Sequence, residues 1–169
     1  MGKLGSALPR AGPLSLSQML QVRHIYLSPG HNFFGHYGKR PDVHPMIEVP
    51  AVECLAGRGL MGDRFLDFKP NYKGQVTFFA WEVYEELCQF HGRLAEPSAF
   101  RRNIITAGVD LNTLIGEEFE VQGVRFAGTQ ECTPCEWMDH AFAPGTEEFL
   151  KGRGGLRARV LHGGTLRSE

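Results

Sequence analysis

The run Phe119-Glu120-Val121-Gln122-Gly123-Val124-Arg125-Phe126 leads, a few residues on, into Glu131-Cys132-Thr133-Pro134-Cys135-Glu136. In the first stretch apolar and polar positions alternate on both sides of Gln122-Gly123, which predicts a hairpin closed by a two-residue turn. In the second, Thr133 and Glu136 spell a capping box with Pro134 in the first helical position. That spelling predicts a helix whose first turn holds Cys135, where unpaired backbone N–H groups and the helix dipole favour a thiolate. A thiolate serves nucleophilic, sulfur-transfer and soft-metal chemistry alike. Glu131, Glu136 and Asp139 oppose it, because nearby carboxylates disfavour a further negative charge.

Working outward, strands are predicted at Val22 to Ser28, Ile47 to Leu55, Val76 to Phe79, Asn103 to Thr106 and Leu156 to His162. Pro50 marks an edge or a bend in the second of these. The strongest helix runs from about Ala80 to His91, with Trp81, Tyr84, Leu87, Cys88 and His91 on one face and Gly92 as its stop. A shorter one is predicted near Thr146 to Lys151. Two glycine-rich loops stand out, Pro29 to Arg40 and Gly57 to Arg64, and long loops of such composition are often functional. Irregularly spaced strands with few helices predict a mainly β fold, a small barrel or strongly bent sheet with helices at its periphery.

Bulk properties remove several classes. The 169 residues suffice for one domain with a core, and 21 glycines and 10 prolines favour strands and turns over a helical bundle. A net charge of −1 gives no global field for nucleic acid or an anionic membrane, and no apolar run has the length of a membrane span. Met1 to Ser17 lacks a continuous apolar segment and reads as a loose tail, not a signal peptide. The expectation is a cytoplasmic protein whose four cysteines are no disulfide framework and, with one close pair, no paired-CxxC zinc site.

Cys54 and Cys88 read as core residues, and Cys132 as either a resolving thiol or a packed one. Lys39, Arg40, Arg58, Arg64, Arg101 and Arg102 all sit in or beside turns, an arrangement suited to a small ligand bearing a phosphate. Singly, each reads as a solvated charge. Gly59 to Gly62 is not followed by the Gly-Lys-Ser/Thr of a nucleotide-binding loop. His31, His36 and His44 are spaced by five and eight residues, which fits neither a helical nor a strand face for a metal. The Cys132/Cys135 pair also admits an alternative, a thiol–disulfide redox protein without a cofactor, although such pairs usually stand early in a βαβ unit.

In order along the chain, Gly59-Leu60-Met61-Gly62-Asp63-Arg64, Gln75-Val76-Thr77-Phe78-Phe79, Phe100-Arg101-Arg102-Asn103-Ile104-Ile105-Thr106, Gly108-Val109-Asp110-Leu111, Leu114-Ile115-Gly116 and Cys132-Thr133-Pro134-Cys135 resemble the MOSC domain family (molybdenum cofactor sulfurase C-terminal domain). The resemblance spans about residues 22 to 162 and looks like a compact stand-alone member, with residues 1–21 a flexible tail and 22–169 the domain. It implies a closed or nearly closed β-barrel with a few peripheral helices, and the handling of molybdenum cofactor (molybdopterin) or of the sulfur destined for it. It implies that Cys135 is the molybdenum ligand and catalytic cysteine, and that Arg101 and Asn103 hold the cofactor. The loop from Gly35 to Arg40, with Lys39 and Arg40, and the turn with Arg58 and Arg64 would supply further cofactor contacts. The family suggests either a reductase of N-hydroxylated compounds served by a redox partner, or a carrier of sulfur or cofactor served by a sulfur-donor protein. The N-terminal β-barrel domain of the larger reductases and a pyridoxal-phosphate desulfurase segment are both missing from the sequence, and the stretch after Gly163-Gly164 is expected to make only a short closing strand.

Overall fold

The computed structural model describes residues 15–33 and 38–169. Most of the expected tail and the centre of the first glycine-rich loop, with Gly35 and His36, lie outside the described residues. The described chain opens with α1 (Leu16–Met19) and β1 (Gln21–Leu27), and Leu20 between them is already buried in the core. There follow β2 (Ile47–Glu48), β3 (Ala51–Leu55), β4 (Gly59–Leu60), β5 (Val76–Ala80), α2 (Trp81–His91) and a 3₁₀ turn at Pro97–Phe100. The second half adds β6 (Ile104–Ala107), a 3₁₀ turn at Leu111–Leu114, β7 (Glu118–Val121), β8 (Val124–Glu131), α3 (Trp137–Ala141), α4 (Thr146–Leu150), β9 (Leu156–His162) and β10 (Gly164–Arg167).

Seven strands form one mixed sheet in the order β2-β1-β6-β5-β9-β8-β7, and three form a second in the order β10-β3-β4. Every pairing is antiparallel except β5 with β6, which α2 connects. The fold is therefore mainly β with a few helices, as expected, but among the described residues the sheets are not closed, so the expected closed or nearly closed barrel holds only in part. The reason lies at two chain switches. Pro50 splits the expected strand 47–55, so that β2 pairs with β1 while β3 enters the small sheet. After Gly163 the chain likewise leaves the large sheet, and β10 pairs with β3 over four residues.

One face of the large sheet carries Ile25, Phe78, Ile104, Phe126, Leu156 and Ala158, and the small sheet covers it with Val52, Cys54, Leu60 and Leu166. The other face carries Tyr26, Phe79 and Ile105, covered by Leu87 and Cys88 of α2, Met138 of α3 and Leu150 of α4. Burial on both faces explains why β5 is a continuous apolar run rather than an alternating one. In β9, Leu156, Ala158 and Val160 enter the core, as their alternation predicts, and Arg157 and Arg159 are less buried. The predicted hairpin is β7–β8, and Gln122 and Gly123 both have positive φ (51° and 82°), the requirement of a type I′ turn.

The strand β9 starts from a close crossing. Gly155 has φ +112°, and a Cβ placed there would stand 2.2 Å from the carbonyl oxygen of Phe78. Gly155→Ala is therefore expected to lower unfolding stability by about 3 kcal/mol or more, from strain and overlap together. Urea denaturation checks this, and a loss under about 1 kcal/mol would show that the crossing relaxes freely.

Candidate functional site

The residues between the 3₁₀ turn and β6 build the site. Asn103 is fully buried, and its backbone N–H donates to Thr77. Its Oδ1 accepts from the N–H of Thr77 at 3.1 Å and the hydroxyl of Thr77 at 3.0 Å. Its Nδ2 donates to the carbonyl of Tyr26 and to Oδ1 of Asp63, each at 3.1 Å. Asp63 in turn accepts from the N–H of Ser28 at 3.0 Å, from Nη1 of Arg64 at 3.2 Å and, through Oδ2, from the N–H of Phe65 at 3.1 Å. This network ties β1, β5 and the chain entering β6 to the turn after β4.

Two arginines precede Asn103. Arg101 has φ 55°, a left-handed conformation that non-glycine residues seldom adopt. Its guanidinium is 8% exposed as a residue and donates to the carbonyls of His44 (2.7 Å) and Gly30 (2.7 Å) and to the Ser28 hydroxyl (2.8 Å). Arg102 donates to the carbonyls of Gly154 (2.9 Å), Phe100 (3.0 Å) and Cys132 (2.9 Å). Arg64 donates to the Arg101 carbonyl at 2.9 Å and lies 4.7 Å over the Phe65 ring. Among the described residues, Asp63 is the one carboxylate bonded to any of these three groups. Burial first, then the neighbouring Arg64, pulls the Arg101 pKa down to about 10, so it remains charged at neutral pH. Burial likewise lowers that of Arg64.

The three guanidinium groups converge on a cavity of about 320 Å³, a volume in the range of small-ligand sites. Phe65, Tyr72, Phe100 and Trp137 form its apolar walls, and Cys132 and Cys135 both reach its lining. His31 lines it too, and burial together with the Arg64 charge lowers its pKa, keeping the imidazole neutral near pH 7. Both cysteines are free thiols, Cys132 buried at 5% exposure and Cys135 partly exposed.

The helix that was to activate Cys135 begins later than the capping box predicts. α3 starts at Trp137, with Glu136 before it and no side-chain cap, and residues 132–135 have no regular secondary structure. Arg102 and the bond from Cys132 N–H to the Gly155 carbonyl (2.7 Å) hold this stretch beside residues 154–155. Pro134 packs on Gly154, where a Cβ would come within 2.8 Å of its Cδ. Cys135 therefore stands just before α3 rather than in its first turn, and the backbone N–H of Trp137 at the helix start is what favours its ionised form. Burial pushes its pKa up; the Trp137 N–H and the Arg102 charge oppose that, while Glu147 and Cys132 add to it. Cys54 and Cys88 are buried in the two cores, as expected.

Of the expected cofactor-holding residues, Arg64 and Arg101 line the cavity beside Cys135. Asn103 stands behind its wall with its amide bonded within the chain. Arg58 is outside the lining and forms a bidentate exposed pair with Asp67 (2.8 and 2.6 Å). Lys39 and Arg40 are exposed and also outside the lining. Sequence reasoning missed Thr77, Trp137 and Arg157 as lining residues. For Arg157 a signal existed: it is the off-phase position in the alternating run of β9.

Asn103→Ala should lower stability by about 3 kcal/mol, because it leaves the Thr77 N–H without its side-chain acceptor inside the protein. Unchanged urea stability would show that Asn103 is not holding the sheet together. With its thiol pKa raised, Cys135 should react with iodoacetamide slowly at pH 7, and its rate should still be climbing above the ordinary thiol pKa of about 8.5. A rate already level at pH 7 would mean a thiolate after all.

The MOSC domain family model matches residues 60–169, more than half of the chain. Among solved structures, the YuaD protein of Bacillus subtilis superposes with a TM-score of 0.66 at 15% identity, covering 88% of this chain and 91% of that one. YiiM of Geobacillus stearothermophilus gives 0.65 at 16% identity, covering 88% and 71%, and YiiM of Escherichia coli 0.58 at 18%, covering 86% and 66%. At such identities the likeness is one of fold. No curated protein matches the chain in sequence. The chain belongs to the MOSC domain family.

Proposed function

We propose that this protein binds the molybdenum cofactor, with Cys135 as the thiol that meets the metal or carries sulfur for it. The observation that carries this reading is the convergence of three buried guanidinium groups, balanced by the single carboxylate of Asp63, on a cavity lined by a partly exposed thiol. The donor set fits such a group: guanidinium groups suit a pterin phosphate, and a soft sulfur suits molybdenum. Arg64 and Arg101 would supply positive potential toward the phosphate, and the aromatic walls at Phe65, Tyr72 and Trp137 would flank the ring system. When bound, the cofactor supplies two-electron oxygen-atom chemistry, which fits removal of oxygen from N-hydroxylated compounds with electrons from a separate redox protein.

The chain's own contribution is positional and electrostatic. Arg102 fixes the Cys132 carbonyl and so sets where the 132–135 stretch runs. Its charge also favours the ionised form of Cys135, which burial alone disfavours. A metal binding there has to displace the thiol proton, so affinity rises with pH. The same raised pKa counts against the thiol–disulfide reading, since exchange depends on the thiolate fraction at ambient pH. A carrier of sulfur or cofactor would use the same cavity and thiol.

Protein expressed in a cofactor-producing host is expected to hold molybdenum and pterin in near-equal amounts with the chain, and Cys135→Ala to lose the metal. Full metal occupancy in that variant would overturn the assignment of Cys135. A metal-free wild type in which Cys132 and Cys135 form a reversible disulfide would favour the redox alternative.

A further inference from the structure

We infer that Arg157 is the residue of the cavity that grips an oxyanion of the bound molecule, such as a phosphate, sulfate or carboxylate group. Four guanidinium groups line the cavity, and three are committed to the protein itself. Arg101 and Arg102 each donate three hydrogen bonds to the chain, and Arg64 is bonded to Asp63 and the Arg101 carbonyl. These three set a positive potential but have spent much of their donor geometry on backbone oxygens. Among the described residues the Arg157 guanidinium makes no hydrogen bond or ion pair. Its planar fork stays available for two parallel bonds to an oxyanion.

Its setting is that of a presented group. Arg157 lies on β9, paired with Thr77 of β5 on one side and Gln130 of β8 on the other, so its backbone is fixed at the centre of the large sheet. Thr77 lines the same cavity. The stem of Arg157 runs past Gly74, where a Cβ would stand 3.3 Å from the Arg157 Cδ. A larger residue at 74 would press on that stem, so the glycine leaves room for the arginine along the cavity wall. Nearby Arg159 instead donates to the carbonyl of Asn71. A rigid strand position, cleared space and unspent donors therefore coincide at one cation, in the cavity that also holds Cys135. The assignment rests on the reading of this cavity as a ligand site, but not on molybdenum.

The test uses the full-length, metal-free protein and two alkylating agents of similar size. Cys135 reacts with anionic iodoacetate or neutral iodoacetamide, forming a carbon–sulfur bond and releasing iodide, and mass spectrometry reads the modified position. The rate ratio of iodoacetate to iodoacetamide at Cys135 is expected to fall about tenfold in Arg157→Gln, the scale of local electrostatic steering. Arg157→Lys, which keeps the charge, should retain most of that ratio. Inorganic phosphate should slow the iodoacetate reaction of the wild type and have far less effect on Arg157→Gln. An unchanged ratio in Arg157→Gln, phosphate protection equal in both proteins, or none in the wild type would each overturn the assignment. Matching thermal unfolding of the variants guards against a folding defect. Molybdenum content decides the cofactor reading separately, since a wild type without metal that still shows the anion preference leaves Arg157 in place.

Discussion

Three guanidinium groups held inside this protein against one carboxylate are the constraint on which the rest depends. Buried charge is costly unless its hydrogen bonds are met, and Asp63 alone cannot meet those of Arg64, Arg101 and Arg102. Backbone carbonyls meet most of the remainder: those of Gly30 and His44 for Arg101, and those of Phe100, Cys132 and Gly154 for Arg102. Each arginine therefore pins loops that no sheet ladder holds. The positive excess that remains is what would suit the cavity to an anion.

The scaffold is built to permit this. The left-handed backbone at Arg101 turns the chain out of the 3₁₀ turn, and the successive arginines reach different segments, Gly30 and His44 for Arg101 and Cys132 and Gly154 for Arg102. Asn103 then locks that turn to β1 and β5. Gly154 and Gly155 allow the start of β9 to pass close to Cys132 and Phe78, where any side chain would collide with a carbonyl. Strain and close approach gather around the cavity, as they do where a rigid sheet supports a binding site.

The cysteine pair shows how a local motif yields to its surroundings. Thr-Pro-Cys-Glu spells a helix start, yet bonds from Arg102 to the Cys132 carbonyl and from the Cys132 N–H to the Gly155 carbonyl hold the stretch out of a helix, and α3 begins only at Trp137. The Cys135 sulfur consequently owes its acidity to a balance between burial, which opposes ionisation, and the Trp137 N–H at the start of α3 together with the Arg102 charge, which favour it. A thiol kept protonated until an electrophile or a metal arrives suits a ligand better than a disulfide-exchange nucleophile.

Much was written locally in the chain. Alternation in β9, the Gln-Gly turn of β7–β8 and the apolar face of α2 are short-range patterns, and they fix element type because each buries one face. The order of the glycine, arginine and cysteine motifs likewise marked the family and drew attention to Arg64, Arg101 and Cys135. The sequence could not show that Pro50 hands the chain from one sheet to another, that the sheets stay open, or that Asn103 supports the wall while Arg157 faces the cavity. Those outcomes depend on partners far along the chain, Thr77 for Asn103 and Gly154 for Arg102, and hydrogen bonds of that range exist only once the strands are in register. Residue types set which chemistry was available, and tertiary pairing decided which donors were consumed by the fold and which were left unspent on the cavity wall.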